Sequence, residues 1–166
     1  AIHAIITLLE HRDIRARRAA LDALERVAGR GEPGAVAAAT ELLSRGRRTD
    51  VRAAALEALG RVAAKGDPDA ISTVASHLED GMWSVRQAAL KALAQISERG
   101  DPCALGEVTP RLEHKEAHVR ESAIAALAQV AAPGDQETIV ALSARLKDGD
   151  DDVARAAEAA LRRLQG

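Results

Sequence analysis

The chain has 166 residues, 23 basic and 25 acidic groups and a net charge of -2, so it has the length of one domain and no overall case for nucleic acid or an anionic membrane surface. It contains no Phe, no Tyr and one Trp, which implies an aliphatic core suited to closely packed helices and removes the stacking platforms of a single-strand nucleic-acid binder. A lone Cys103 excludes an internal disulfide, no apolar run approaches the ~20 residues of a membrane span, and no signal-peptide pattern is present.

Apolar residues recur at 3- and 4-residue spacing throughout, which predicts ten helices in five pairs and no strand. In residues 1–33, Ile2, Ile5 and Leu9 mark a first helix, and Leu21, Leu24 and Val27 a second. Residues 34–68 repeat this with Val36, Ala39 and Leu43, then Leu56, Leu59 and Val62. Residues 69–102 carry Ile71, Val74 and Leu78, then Val85, Ala89, Leu93 and Ile96. Residues 103–136 carry Leu105, Val108 and Leu112, then Ile124, Leu127 and Val130. Residues 137–166 carry Ile139, Leu142 and Leu146, then Leu161 and Leu164, with Glu158 where other copies have an apolar residue. Gly31, Gly66, Gly100 and Gly134 stand 35, 34 and 34 residues apart, Gly100 reading as a C′ glycine with positive φ. Asp67-Pro68 and Asp101-Pro102 are N-cap and first-turn pairs. A period of this length is the signature of a stacked repeat protein, since one helix pair cannot bury its own apolar face. The chain opens mid-pattern at Ala1, with Ile6 and Leu8 apolar, and reads as a piece of a longer protein continuing upstream.

Charge is uneven along the stack: residues 1–68 hold 12 basic and 9 acidic groups, residues 69–166 hold 11 and 16. Two columns of polar residues recur once per repeat. Arg17, Arg52, Arg86 and Arg120 lie beside the core and read as a ladder bonding loop carbonyls or carboxylates of the same or next repeat. Arg26, Arg61, Gln95, Gln129 and Arg163 lie on the open side and read either as a solvated face or as a polar track for an extended or helical segment bearing acidic groups; Arg forks suit carboxylates and Gln suits peptide backbone. Met82-Trp83 is an apolar pair in a turn that is polar elsewhere, so Trp83 either folds over its loop or is an exposed anchor. Of His11, His77, His114 and His118, His114 and His118 flank a turn rather than sharing a helix face and Cys103 lies a helix away, so no metal site is expected. Cys103, at a helix start, is either a packed thiol or one of lowered pKa. No catalytic motif or phosphate loop is present, so no cofactor is expected.

The pairs Val51-Arg52, Val85-Arg86 and Val119-Arg120, each followed by an Ala/Leu stripe, together with Pro110 inside a first helix, resemble the HEAT repeat, in particular the subtype named after phycobilisome lyases. Ala16-Arg17 is a weaker copy, and Val153-Ala154 lacks the arginine. The resemblance implies an all-α α-α superhelix of five repeats, with second helices lining a concave, partner-facing side that would also present Lys91. Function is then expected to be a non-enzymatic scaffold for a protein partner, with the domain itself a monomer. The alternatives are an accessory or chaperone-like subunit of a bilin lyase and, ranked lower, nucleic-acid binding around Arg45, Arg47 and Arg48.

Overall fold

A computed structural model describes residues 1–166 and contains the ten helices. They are α1 (Ile2–Leu8), α2 (Ile14–Val27), α3 (Pro33–Arg45), α4 (Thr49–Val62), α5 (Pro68–Ser76), α6 (Trp83–Ile96), α7 (Pro102–Val108), α8 (Ala117–Val130), α9 (Gln136–Ala144) and α10 (Asp151–Gln165). Odd-numbered helices form one layer and even-numbered helices the other, with one continuous aliphatic core between them. Short 3-10 turns finish α5, α7 and α9. Pro110 explains why α7 yields earliest: it offers no N–H to an α-helical bond, so the chain tightens into Thr109–Glu113.

Capping follows the sequence reading. Asp67 Oδ1 accepts from the N–H groups of Asp69 and Ala70, and Asp101 Oδ1 from those of Cys103 and Ala104. The four glycines have φ of 75–80°, but they are not C′ residues. Helix α6 ends at Ile96 with Ser97 as its cap, three residues before Gly100. Each glycine instead turns the loop so that its N–H reaches the last turn of the next repeat's second helix. Gly31 donates to Val62 O at 2.6 Å, Gly66 to Ile96 O at 2.7 Å, Gly100 to Val130 O at 2.7 Å and Gly134 to Leu164 O at 2.8 Å. A side chain at such a φ would be strained.

These loops account for one departure from the predicted core. Val62, Ile96, Val130 and Leu164 lie beneath the preceding repeat's glycine loop and are buried, whereas Val27, first in its column, has no such loop and is half exposed. Leu146, last in its column, is also exposed, while Leu78 and Leu112 are buried. Ile6 is a core residue and Leu8 an exposed one.

The arginine ladder forms as read. Arg17 Nη1 donates to His11 O and Arg12 O, Arg52 Nη1 to Arg47 O, Arg86 Nη1 to Asp80 O and Gly81 O, and Arg120 Nη1 to His114 O and Lys115 O. Each guanidinium thus closes the turn before its own helix. Three also reach a carboxylate: Arg17 to Asp50 at 3.1 Å, Arg52 to Asp80 at 3.0 Å and Arg120 to Asp148 at 2.6 Å. The last two are two-pronged, through Nε and Nη2. Asp148 is held below the usual carboxylate range chiefly by the hydrogen bond from Arg120, against opposition from burial. For Asp80, burial pushes upward, but the hydrogen bonds from Arg52 and the Met82 N–H outweigh it and the pKa is again lowered. A second series on the first-helix side joins Arg45 to Glu10, Arg111 to Glu79 and Arg145 to Glu113, at 3.3, 2.8 and 3.0 Å.

Candidate partner-binding face

The solvent side of the even-numbered helices carries the predicted polar column. Turn by turn along α2, α4, α6, α8 and α10, the inward stripe is committed to the core, so only the opposite residues are free to meet a ligand. Arg26 and Arg163 are exposed and pair with no carboxylate; Gln95 is exposed and Gln129 half buried. Arg61 differs: its Nη1 bridges to Asp22 at 3.0 Å and Glu25 at 2.9 Å, clamping α4 to α2. Lys91 is exposed and lines a cleft of about 300 Å³ with Arg18, Glu57, Arg61 and Gln95. A neighbouring cleft of about 320 Å³ runs past Ile14, Arg18, Leu21, Ala53 and Glu57 to Ser84. A third, of about 480 Å³, includes Ala94, Gln129 and Arg163. Column residues Arg61, Gln95, Gln129 and Arg163 therefore lie in two of the three clefts along one face, while Arg26 lines none of them.

Trp83 is 67 % exposed and Met82 50 %. The indole does not fold over its loop; it is the first residue of α6, beside Ser84 at the cleft's end. Gln95 is twelve residues further along the helix, roughly 18 Å at 1.5 Å per residue. The two candidate features thus mark opposite ends of α6.

Helices α4 and α6 come close together at Gly60, where an added Cβ would lie 3.0 Å from Ala92 Cα. Sequence reading missed the contribution of the loop residues Lys65 and Arg99, which lean over the third cleft, although the column Arg30, Lys65, Arg99, Pro133 preceding each glycine is visible in the repeat alignment.

Other candidates are placed elsewhere. No three His, Cys, Asp or Glu side chains come together as a metal-holding group. His11 and His114 accept backbone N–H bonds through Nδ1 in their own turns. Burial, and then the neighbouring Asp101, Glu107 and Asp69, raise the pKa of Cys103, contrary to an activated thiol. Of the N-terminal arginines, Arg45 is paired with Glu10 and Arg48 with Asp50, leaving Arg47 alone. No helix is long and apolar enough to cross a membrane.

Two stacked layers of helix pairs around one continuous core define an α-solenoid repeat protein. The model of HEAT repeats matches residues 40–105 and 76–162, and the chain belongs to that family. It is similar in structure to one chain of the complex of CpcE and CpcF of phycocyanin lyase from Nostoc sp. PCC7120, with a TM-score of 0.64 and 21 % identity over 96 % of this chain and 97 % of that one. It is also similar to a designed armadillo repeat protein in complex with the peptide (KR)4, with a TM-score of 0.55 and 20 % identity over 99 % of this chain and 82 % of that one. A computationally designed armadillo repeat protein for modular peptide recognition gives 0.51 and 21 %, over 98 % and 82 %. At these identities the likeness concerns the fold. No curated protein matches the sequence.

Proposed function

We propose that the chain is a non-enzymatic scaffold that holds an extended, acidic segment of a protein partner along the α2–α10 face. The observation that carries this is an imbalance of pairing. Arginines of the ladder and the first-helix side are mostly neutralised by carboxylates, whereas Arg18, Lys91, Lys65, Arg99 and Arg163 line the clefts without an ion-pair partner. Glu57 and Glu98 are the unpaired carboxylates among them. An extended segment rises about 3.3 Å per residue, so every third residue meets a new helix layer ~8–10 Å on. Trp83 supplies an apolar anchor at the rim.

The test is fluorescence anisotropy with labelled peptides of alternating Glu and Gly, Lys and Gly, and Ser and Gly, at about 0.1 M salt, where surface charges further apart than ~10 Å are screened. Only the acidic peptide binds, and Lys91→Glu with Arg163→Glu weakens it at least tenfold while helicity is retained. Equal binding of the basic peptide, or indifference to the double substitution, refutes the reading. The end-to-end likeness to one chain of the phycocyanin lyase complex supports a second reading, an accessory subunit of a bilin lyase. Mixing the chain with free bilin separates the two: an unchanged absorption spectrum refutes the second.

A further inference from the structure

The repeats serve as controls for one another, and one site breaks their rule in two ways at once. The C-cap of each of the first four second helices is a buried small residue: Ala28, Ala63, Ser97 and Ala131. Only Ser97 carries a hydroxyl; it is 6 % exposed and its Oγ has no hydrogen-bond partner. Leaving a buried polar group unpaired is unfavourable, and alanine is the residue used in the other copies. The second departure is Lys65. Its counterparts Arg30 and Arg99 donate to the cap carbonyls of the following repeat, Ala63 O and Ala131 O, each at 3.3 Å. Lys65 makes no such bond to Ser97, and its ammonium is left free above the same cleft.

That cleft, about 480 Å³, is lined by Lys65, Ser97, Glu98, Arg99, Gln129 and Arg163. Three cations against one carboxylate leave a surplus of two positive charges. Gln129 adds amide donors, and a χ1 rotation of Ser97 turns its hydroxyl without moving backbone. We infer that this cleft binds a doubly charged oxyanion, namely a phosphoryl group carried by the partner segment, whose charge of about -1.5 to -2 matches the surplus. Arg99 and Arg163 present forks to its oxygens, Lys65 a point charge, and Ser97 and Gln129 neutral donors. Its peptide-borne form rests on the proposed scaffold reading; the anion site itself does not.

The full chain is titrated with sodium phosphate against sodium chloride of equal ionic strength, following backbone amides by NMR. Phosphate produces saturable shifts centred on Ser97, Arg99 and Gln129, and chloride does not. Lys65→Gln with Arg163→Gln raises the phosphate Kd at least tenfold. Ser97→Ala, which restores the residue of the other copies, weakens phosphate binding and leaves the melting temperature unchanged or higher, so lost binding is not lost folding. Absent or non-saturable shifts, shifts spread over the whole basic surface, or retention of binding in the double variant overturn the site. In a second arm, an acidic peptide bearing one phosphoserine binds at least tenfold tighter than its serine form. Equal affinity of the two overturns the peptide-borne assignment. Failure of both peptides with phosphate still bound refutes the scaffold reading and not the anion site.

Discussion

Asp148→Asn is the most direct test of what holds the fifth repeat in place. The Asp148 side chain is 4 % exposed and receives Arg120 Nε at 2.9 Å and Nη2 at 2.6 Å, besides the Asp150 N–H at 3.1 Å. Asparagine keeps the volume but offers one neutral acceptor and turns an NH2 toward the guanidinium. Two charge-assisted bonds contribute about 1.5–3 kcal/mol each. Arg120 keeps its two carbonyl partners and some contact with water, so the net loss is expected near 2–3 kcal/mol rather than the 3–5 kcal/mol of a fully buried broken pair. For a chain of this size that lowers Tm by about 4–12 °C. Thermal and urea unfolding followed by circular dichroism measure the loss. Hydrogen exchange locates it: α10 amides speed up while α4 amides do not, because neighbouring repeats are coupled only through their shared interface. The control is Arg15→Ala, which removes an exposed pair with Asp13 and shifts stability by less than ~1 kcal/mol. An Asp148→Asn loss no larger than the control's, or exchange that rises uniformly, refutes the ladder as a structural device.

His114→Asp tests the same ladder in the opposite direction: His114 occupies the place that Asp80 and Asp148 hold one repeat away, and aspartate there gives the 92 % buried Arg86 the carboxylate it lacks, with an expected gain of about 1 kcal/mol in urea unfolding. Stability also depends on acid. Asp80 and Asp148 have folded-state pKa values below their unfolded value near ~3.9, so their contribution is complete above that pH and is lost as pH falls through the lowered values. A melting series from pH 7 to about pH 2 in which Asp148→Asn flattens the acid-side decline checks this; an unchanged slope counts against it.

Much of the fold is legible because each local signal points to the same repeat. The 3.6-residue stripe, the Asp-Pro caps and the glycine period together specify five helix pairs, and the stripe Val85, Ala89, Leu93 and Ile96 is fully buried. What was not legible depends on neighbours. Val27 and Leu146 fit the stripe yet are exposed, since burial of those positions comes from an adjacent repeat and none in the described residues covers them. Arg61 belongs to the open column, but its pairing with Asp22 and Glu25 depends on how closely α2 and α4 approach, which one helix's sequence does not encode. The partners of Arg52 and Arg120 lie 28 residues downstream and become obvious only once the repeats are stacked.

The departures from regularity share a neighbourhood. Met82-Trp83 replaces a polar turn, Ser97 replaces alanine, Lys65 leaves the carbonyl its counterparts hold, and His114 replaces the carboxylate that Arg86 would take. All four lie within the third repeat or against it, where α4 and α6 also come together over Gly60. A strictly periodic face has a cost for recognition: an extended segment can shift by one repeat and meet the same groups, so several registers compete with similar affinity. Irregular positions remove that degeneracy, because only one register puts an apolar side chain at Trp83 and an anion over Ser97. Repeats on both sides of them are left to hold the rest of the segment. On this reasoning the flanking repeats contribute affinity and the third sets register. On acidic peptides carrying one phosphoserine and one leucine, Ser97→Ala combined with Trp83→Ala should then blur register, broadening peptide-length dependence more than it lowers affinity; a uniform drop at every length would assign the third repeat no such role.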